Sequence, residues 1–166
     1  MAIGRWKSVC INVTDLDQGS DFWSEVLGWT ANRKSWHGWL SYLNDPETDN
    51  YMILNDTTHA PVKLNPPTHD ETNRVHIDIW PNDGMDNAIR DIIALGGRVK
   101  KPPSLYPRPG SYGDEPPSID WTVMQDPFGN EFCIVERLTP EEQAAAMASG
   151  ATDDHALRVA AGKTRP

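Results

Sequence analysis

The chain has 166 residues, 38% of them hydrophobic, and carries a net charge of −9 with an isoelectric point near 4.9. That length and apolar content suit one domain, or two small units sharing a core, and speak against wholesale disorder. The acidic balance and the lack of a basic stripe argue against nucleic acid and anionic membranes as partners, and no apolar run approaches membrane-spanning length.

In chain order, residues 1–7 lack the apolar core of a secretory signal, and Cys10 and Cys133 lie in strand-like text far apart. Reduced thiols and a cytoplasmic location are therefore expected. Residues 8–13 read as a strand. Asp15 or Asp17 can cap a helix whose apolar face is Phe22, Trp23, Val26 and Leu27, with Gly28 as its stop. Strand text follows, ending in Tyr51–Leu54. Residues 75–80 read as the next strand. Asn82 or Asp83 can cap a second helix that buries Met85, Ala88, Ile89, Ile92 and Ile93 and ends at Gly96-Gly97.

A loop follows over 102–118, stiffened by prolines and carrying Tyr106 and Tyr112; a loop of this length in a compact domain is usually a lid or a binding loop. After the last strand, Thr139-Pro140-Glu141-Glu142 is a capping box with proline at the first helical position. It opens an alanine-rich helix that stops near Gly150, with a short helix over 153–161 beyond. The segment carries little large apolar surface. It is expected to be dispensable for folding and to cover an edge or contact a second subunit.

The chain repeats itself. Asp15, Leu27 and Gly28 recur as Asp83, Leu95 and Gly96, each 68 positions on, so one ungapped offset covers strand, cap and helix. Asp45-Pro46 recurs 81 positions on as Asp126-Pro127, and at that offset Tyr51–Leu54 lies over Phe132–Val135. The extra 13 residues fall in the loop over 102–118. Each unit reads β-α-β-β-β.

Strand parity then separates two faces. One carries Val9, Ile11, Val13, then Val75, Ile77, Ile79, with Tyr51, Ile53, Phe132 and Ile134; it is apolar, as a face packed on a helix should be. The other carries Ser8, Cys10, Asn12, then Asn50, Met52, Leu54, then Arg74, His76, Asp78, Trp80, then Glu131, Cys133, Val135. That mixture suits the wall of a binding cleft; a solvated face or a dimer interface are the alternatives. The seven tryptophans fit either core and interface packing or an aromatic-lined pocket.

Two segments carry a family resemblance. Val13–Asp17 followed by Phe22-Trp23 and Val26–Trp29, and Gln125–Cys133 with its Asp-Pro-Phe-Gly-Asn turn, resemble the vicinal oxygen chelate superfamily of glyoxalases, bleomycin resistance proteins and extradiol dioxygenases. The likeness implies an α+β fold of two βαβββ modules, over 5–57 and 73–138 within a domain at 5–138, plus a C-terminal helical extension at 139–166. It implies a homodimer as the default assembly. Four strand positions hold a divalent ion in metal-using members; carried over, these are Ser8, Met52, His76 and Cys133. Only His76 matches the usual His, Gln or Glu, so no metal and no cofactor are expected. A soft ion on His76, Cys133 and Met52 is a minor alternative.

Two functions compete. The first is a metal-free protein that binds a planar or aromatic molecule. Its candidate contacts are Ser8, Cys10, Asn12, Trp39, Met52, Arg74, His76, Trp80, Tyr112, Trp121 and Cys133, with Trp36 and Tyr106 nearby in the text. The second is a lyase, isomerase or cyclase using His76 with Asp78 or Glu131 as acid–base groups. A metal-dependent glyoxalase or dioxygenase is a weaker form of the second.

Overall fold

The structure is a computed structural model, and it describes residues 8–34, 38–58, 76–111 and 113–164. Its fold is α+β. Eight strands form two four-stranded sheets, with four helices among the described residues. The chain divides into two compact units: residues 1–71 with Pro127–Asn130, and residues 72–126 with 131–166.

In the first unit β1 (Ser8–Val13) leads into α1 (Leu16–Leu27), then β2 (Thr30–Lys34), β3 (Leu40–Asn44) and β4 (Tyr51–Asp56). The sheet order is β1-β4-β3-β2, with β1 and β4 parallel. Asp15 is the cap: its carboxylate accepts the backbone N–H groups of Asp17 and Gln18, both at 3.0 Å. Gly28 stops the helix in the left-handed region at φ 68°. Leu16, Phe22 and Trp23 are buried, as are Val13, Leu43, Met52 and Leu54. Helix and sheet approach closely at Gly19, where a Cβ would stand 3.2 Å from side-chain carbons of Leu54 and Val13. The hydroxyls of Ser20 and Ser41 satisfy each other at 2.7 Å inside this layer.

The register corrects the expected parity of β4. Val9 lies opposite Met52 and Ile11 opposite Leu54, while Ser8 faces Tyr51 and Cys10 faces Ile53. Met52 and Leu54 therefore point to the helix, and Tyr51 and Ile53 point away. The expectation rests on superposing the two Asp-Pro turns at an offset of 81. The first turn is one residue longer, with six steps from Asp45 to Tyr51 against five from Asp126 to Glu131, so the strands superpose at 80. One residue of slip exchanges the faces of a strand.

In the second unit β5 (Asp78–Ile79) precedes α2 (Met85–Ala94), β6 (Arg98–Tyr106), β7 (Ile119–Gln125) and β8 (Glu131–Arg137), in the order β5-β8-β7-β6. Neither Asn82 nor Asp83 caps α2. Gly84 occupies that position without a side-chain bond, and Glu136 of β8 accepts the Met85 N–H at 3.2 Å instead. Met85 and Ile92 are buried, Ala88 and Ile89 partly so, and Ile93 is exposed. The proline-rich stretch is partly strand: β6 takes in Pro102 and Pro103 through two register shifts, and the Thr122 hydroxyl donates to the Lys101 carbonyl at 2.6 Å where the ladder is broken.

Two further helices, α3 (Pro140–Ala148) and α4 (Asp154–Ala160), belong to this unit. The capping box of Thr139 and Glu142 forms as expected. The packing of these helices does not fit a dispensable segment. Ala146, Leu157 and Ala161 form a buried cluster with Leu105 and Leu138. Arg158 grips Asp120, with Nε at 3.0 Å from both carboxylate oxygens, and reaches Asp86 at 2.8 Å. The sequence hides this because the anchors are few: two small alanines, one leucine and one arginine.

Candidate functional site on the helix-free face of the second sheet

In the second sheet Ile79 pairs with Ile134 and Asp78 with Cys133, so Phe132 and Ile134 point to the helices while Glu131, Cys133, Val135 and Arg137 point away. Cross-strand partners extend that outward face to Gln125, Val123, Trp121 and Ile119 on β7, and to Arg98, Lys101, Ser104 and Tyr106 on β6.

At one edge of this face His76 Nε2 lies 3.2 Å from Asp78 Oδ1, and donor atoms of His76, Asp78 and Cys133 all fall within 4.8 Å of one another. Burial pushes the Cys133 thiol up to about 11, and the Asp78 and Glu131 carboxylates push the same way. The sulfur is therefore a neutral thiol near pH 7, hydrogen-bonded to Asp78, and a weak nucleophile. An imidazole aligned by a carboxylate can carry a proton to or from a bound molecule. Glu131 is drawn into a close ion pair with Lys100.

The rest of the face combines rings and cations. Lys101 Nζ sits 4.1 Å from the centroid of Trp121, and Tyr106 meets the same indole edge-on at 6.5 Å. Arg137 lies 5.5 Å over the Trp80 ring. Trp80 is 57% exposed and Tyr106 47%.

Of the residues named from sequence, His76, Asp78, Trp80, Trp121, Glu131 and Cys133 share this face. Ser8, Cys10 and Asn12 lie on the helix-free face of the first sheet, where Asn12 Oδ1 accepts from Asn55 Nδ2 at 3.0 Å. Trp39, exposed, precedes β3 in that unit, and its carbonyl accepts the Asp56 N–H. Met52 is withdrawn: it is 2% exposed and packed on the helix side. Trp36, Arg74 and Tyr112 lie outside the described residues. Sequence reasoning misses Lys101 and Arg137. Parity carried two residues past Val135 points to Arg137; Lys101 is concealed by the irregular register of β6.

The ion that the superfamily resemblance implies does not fit these residues. With the register corrected, the first unit offers Ser8 and Ile53 at the carried-over positions, and the second offers His76 and Cys133. Isoleucine has no donor atom, a serine hydroxyl is a weak ligand, and the thiol must lose a proton held to about pH 11. His76, Asp78 and Cys133 alone could ligate only a soft or borderline ion that ionises the sulfur. A polar hollow of about 310 Å³ between Gly84, Glu136 and Lys163 lies on the helix side, away from this face. Its charges satisfy one another, Lys163 pairing with Glu136 and Glu142 at 2.9 Å.

Residues 8–135 match the family model described as glyoxalase-like domain. A comparison with curated proteins found no match. Among solved structures, a glyoxalase family protein from Bacillus cereus is similar with a TM-score of 0.61 at 15% identity, covering 84% of this chain and 99% of that one. The fosfomycin resistance protein FosX from Listeria monocytogenes gives a TM-score of 0.57 at 17% identity, covering 87% and 98%. A mutant of that protein in complex with Mn(II) and 1S,2S-dihydroxypropylphosphonic acid gives 0.55 at 17%, covering 85% and 94%. Likeness at such identities speaks for the fold alone, whereas the family match spans most of the sequence: this chain belongs to the glyoxalase-like domain family, within the vicinal oxygen chelate superfamily.

Proposed function

We propose that this protein binds a small planar or aromatic organic molecule on the helix-free face of its second sheet, without the divalent ion of metal-using relatives. The observation that carries the reading is the placement of Trp80, Trp121 and Tyr106 outside the core, on the same face as His76 and Asp78. Each stacked ring adds about 0.5–1.5 kcal/mol beyond burial. Two or three such contacts, with the area they cover, bring micromolar affinity, about −8 kcal/mol, within reach. The ligand-free protein is proposed to be a cytoplasmic homodimer, in keeping with its free cysteines and its family.

The test is tryptophan fluorescence during titration with aromatic compounds, paired with elemental analysis. A saturable change and substoichiometric Mn, Fe, Ni and Zn are expected. A stoichiometric ion that disappears in His76→Ala would overturn the metal-free reading. Trp80 has a competing role as a dimer anchor. Loss of the dimer in Trp80→Ala with binding intact would remove that residue from the binding surface.

A second reading is favoured by the 3.2 Å contact between His76 and Asp78: proton transfer to a bound substrate by a lyase or isomerase. Turnover of a bound compound that is abolished in His76→Gln would establish it; binding without turnover supports the first reading.

A further inference from the structure

We infer that the ligand of this face is an anion: a planar aromatic acid larger than one ring, its carboxylate or other oxyanion bound at Lys101 or at Arg137. The inference rests on the aromatic-binding reading above and adds the charge and size of the ligand. In a chain of net charge −9, acidic partners for cations are plentiful. Most cations around this face and on the helix side are used: Lys100 pairs with Glu131, Arg108 with Asp154, Arg158 with Asp120 and Lys163 with Glu136, while Arg98 donates to the Gln125 side chain. Lys101 and Arg137 differ. Each is held against an indole, and neither has a carboxylate partner among the described residues.

A cation resting on a ring face keeps its N–H groups free at the edge, where an oxyanion can accept them, in bidentate fashion for arginine. The two stacks bracket one position. Trp121 pairs with Val135 across β7 and β8, and Trp80 follows Ile79, which pairs with Ile134, so it flanks Val135 from β5. Two strand spacings, about 10 Å, separate them. A molecule touching both indoles must exceed a single ring.

The face is also polarised. Asp78 lies on the edge strand β5 and Lys101 on the opposite edge strand β6, with β8 and β7 between. An oxyanion is repelled beside Asp78 and held where a cation lies free of carboxylates, at Lys101 or at Arg137.

The experiment titrates the unmutated protein with three naphthalenes of one shape, followed by tryptophan fluorescence: 2-naphthoate, naphthalen-2-ylmethanol and naphthalen-2-ylmethylamine. Expected is an affinity for the acid about tenfold or more above the alcohol, as one charge-assisted contact provides, with the amine weakest. Lys101→Gln with Arg137→Gln, both exposed positions, should abolish the preference for the acid over the alcohol. Equal binding of acid and alcohol overturns the anion inference and leaves the aromatic-binding reading standing. Unaltered discrimination in the double variant overturns the assignment to these two cations. Binding of none of the three removes the aromatic-binding reading, and the inference with it.

Discussion

The two units share a strand order, a parallel pairing of first and last strand, and a helix on one face, yet their helix-free faces are chemically unlike. The first carries Ser8, Cys10, Asn12, Tyr42, Tyr51, Ile53 and Asn55: neutral side chains, with an amide bond between Asn12 and Asn55 and two tyrosine rings 6.0 Å apart. The second carries two carboxylates, a histidine, four cations and three large aromatic rings. A repeat conserves what the backbone and core require, because a slipped register or a lost core residue costs stability. It leaves the outward face free to diverge. The chemistry of this chain is therefore concentrated in one copy.

The units differ again on the helix side. The second takes in the segment after Leu138, and the largest expected effect tests that recruitment. A chain ending at Leu138 loses Leu157, Ala161 and Arg158 at once, and it should show no cooperative melting of its second unit by near-ultraviolet circular dichroism. Arg158→Ala alone should cost about 3–5 kcal/mol at pH 8, because Asp120 is left ionised and unpaired at 0% exposure. The cost depends on pH. Burial raises the Asp120 carboxyl to about 6 even against the pull of Arg158, and removing that guanidinium raises it further. In the native chain the folded value lies above the ordinary 3.8, so this group's contribution falls as pH rises from about 4 to about 6 and is flat above. In the variant Asp120 is protonated at pH 5, so urea denaturation should show a smaller penalty there than at pH 8. An equal penalty at both would mean that Asp120 is not the stranded charge.

The corrected parity of β4 supplies the next contrast. Leu54→Ala should cost about 2–5 kcal/mol, as truncation of a buried leucine does, and Met52→Ala a similar amount. Ile53→Ala, on the outward face, should cost well under half of that. Equal losses at positions 53 and 54 in chemical denaturation would reverse the assignment of faces.

This strand also shows how far the sequence can be read. Offset, capping residues and glycine stops predict the first βαβββ unit and the C-terminal helix because each acts locally: Asp15 caps, Gly28 stops, Thr139 and Glu142 box. Parity places His76, Asp78 and Cys133 on one face correctly, since the second unit's Asp-Pro turn is the one anchored by its Gly-Asn signature. It fails at Met52 because a one-residue difference in turn length is invisible when two turns are superposed by their first two residues. Lys101 is hidden by a bulge, which alternation cannot count through, and Arg158 by distance, 38 positions from Asp120.

Each helix-free face carries one cysteine, and their reactivities should differ as the faces do. Cys10 is exposed; Cys133 is buried, with its thiol at about 11. A disulfide reagent at pH 8 should modify one thiol rapidly and the second only slowly, with mass spectrometry placing the fast adduct on Cys10. The slow rate should climb about tenfold per pH unit, in step with the thiolate fraction. A fast Cys133 would mean that burial and the Asp78 carboxylate do not hold its proton.

The smallest expected change in stability belongs to the residue with the largest proposed role. His76 and Asp78 are both substantially exposed, with side-chain exposures of 48% and 60%, and an exposed pair of this kind contributes about 0–1 kcal/mol. His76→Ala should therefore leave the urea midpoint nearly unchanged. Ile134→Asp, one strand over and facing the helices at 1% exposure, puts a charge into the core and should prevent folding. Ligand titration separates position from stability: the His76→Ala protein, folded as before, should bind the aromatic acid with altered affinity or an altered fluorescence end point. If His76→Ala instead destabilised the protein by several kcal/mol, the imidazole would be a structural member of the sheet, and the proton-transfer reading would lose the group it rests on.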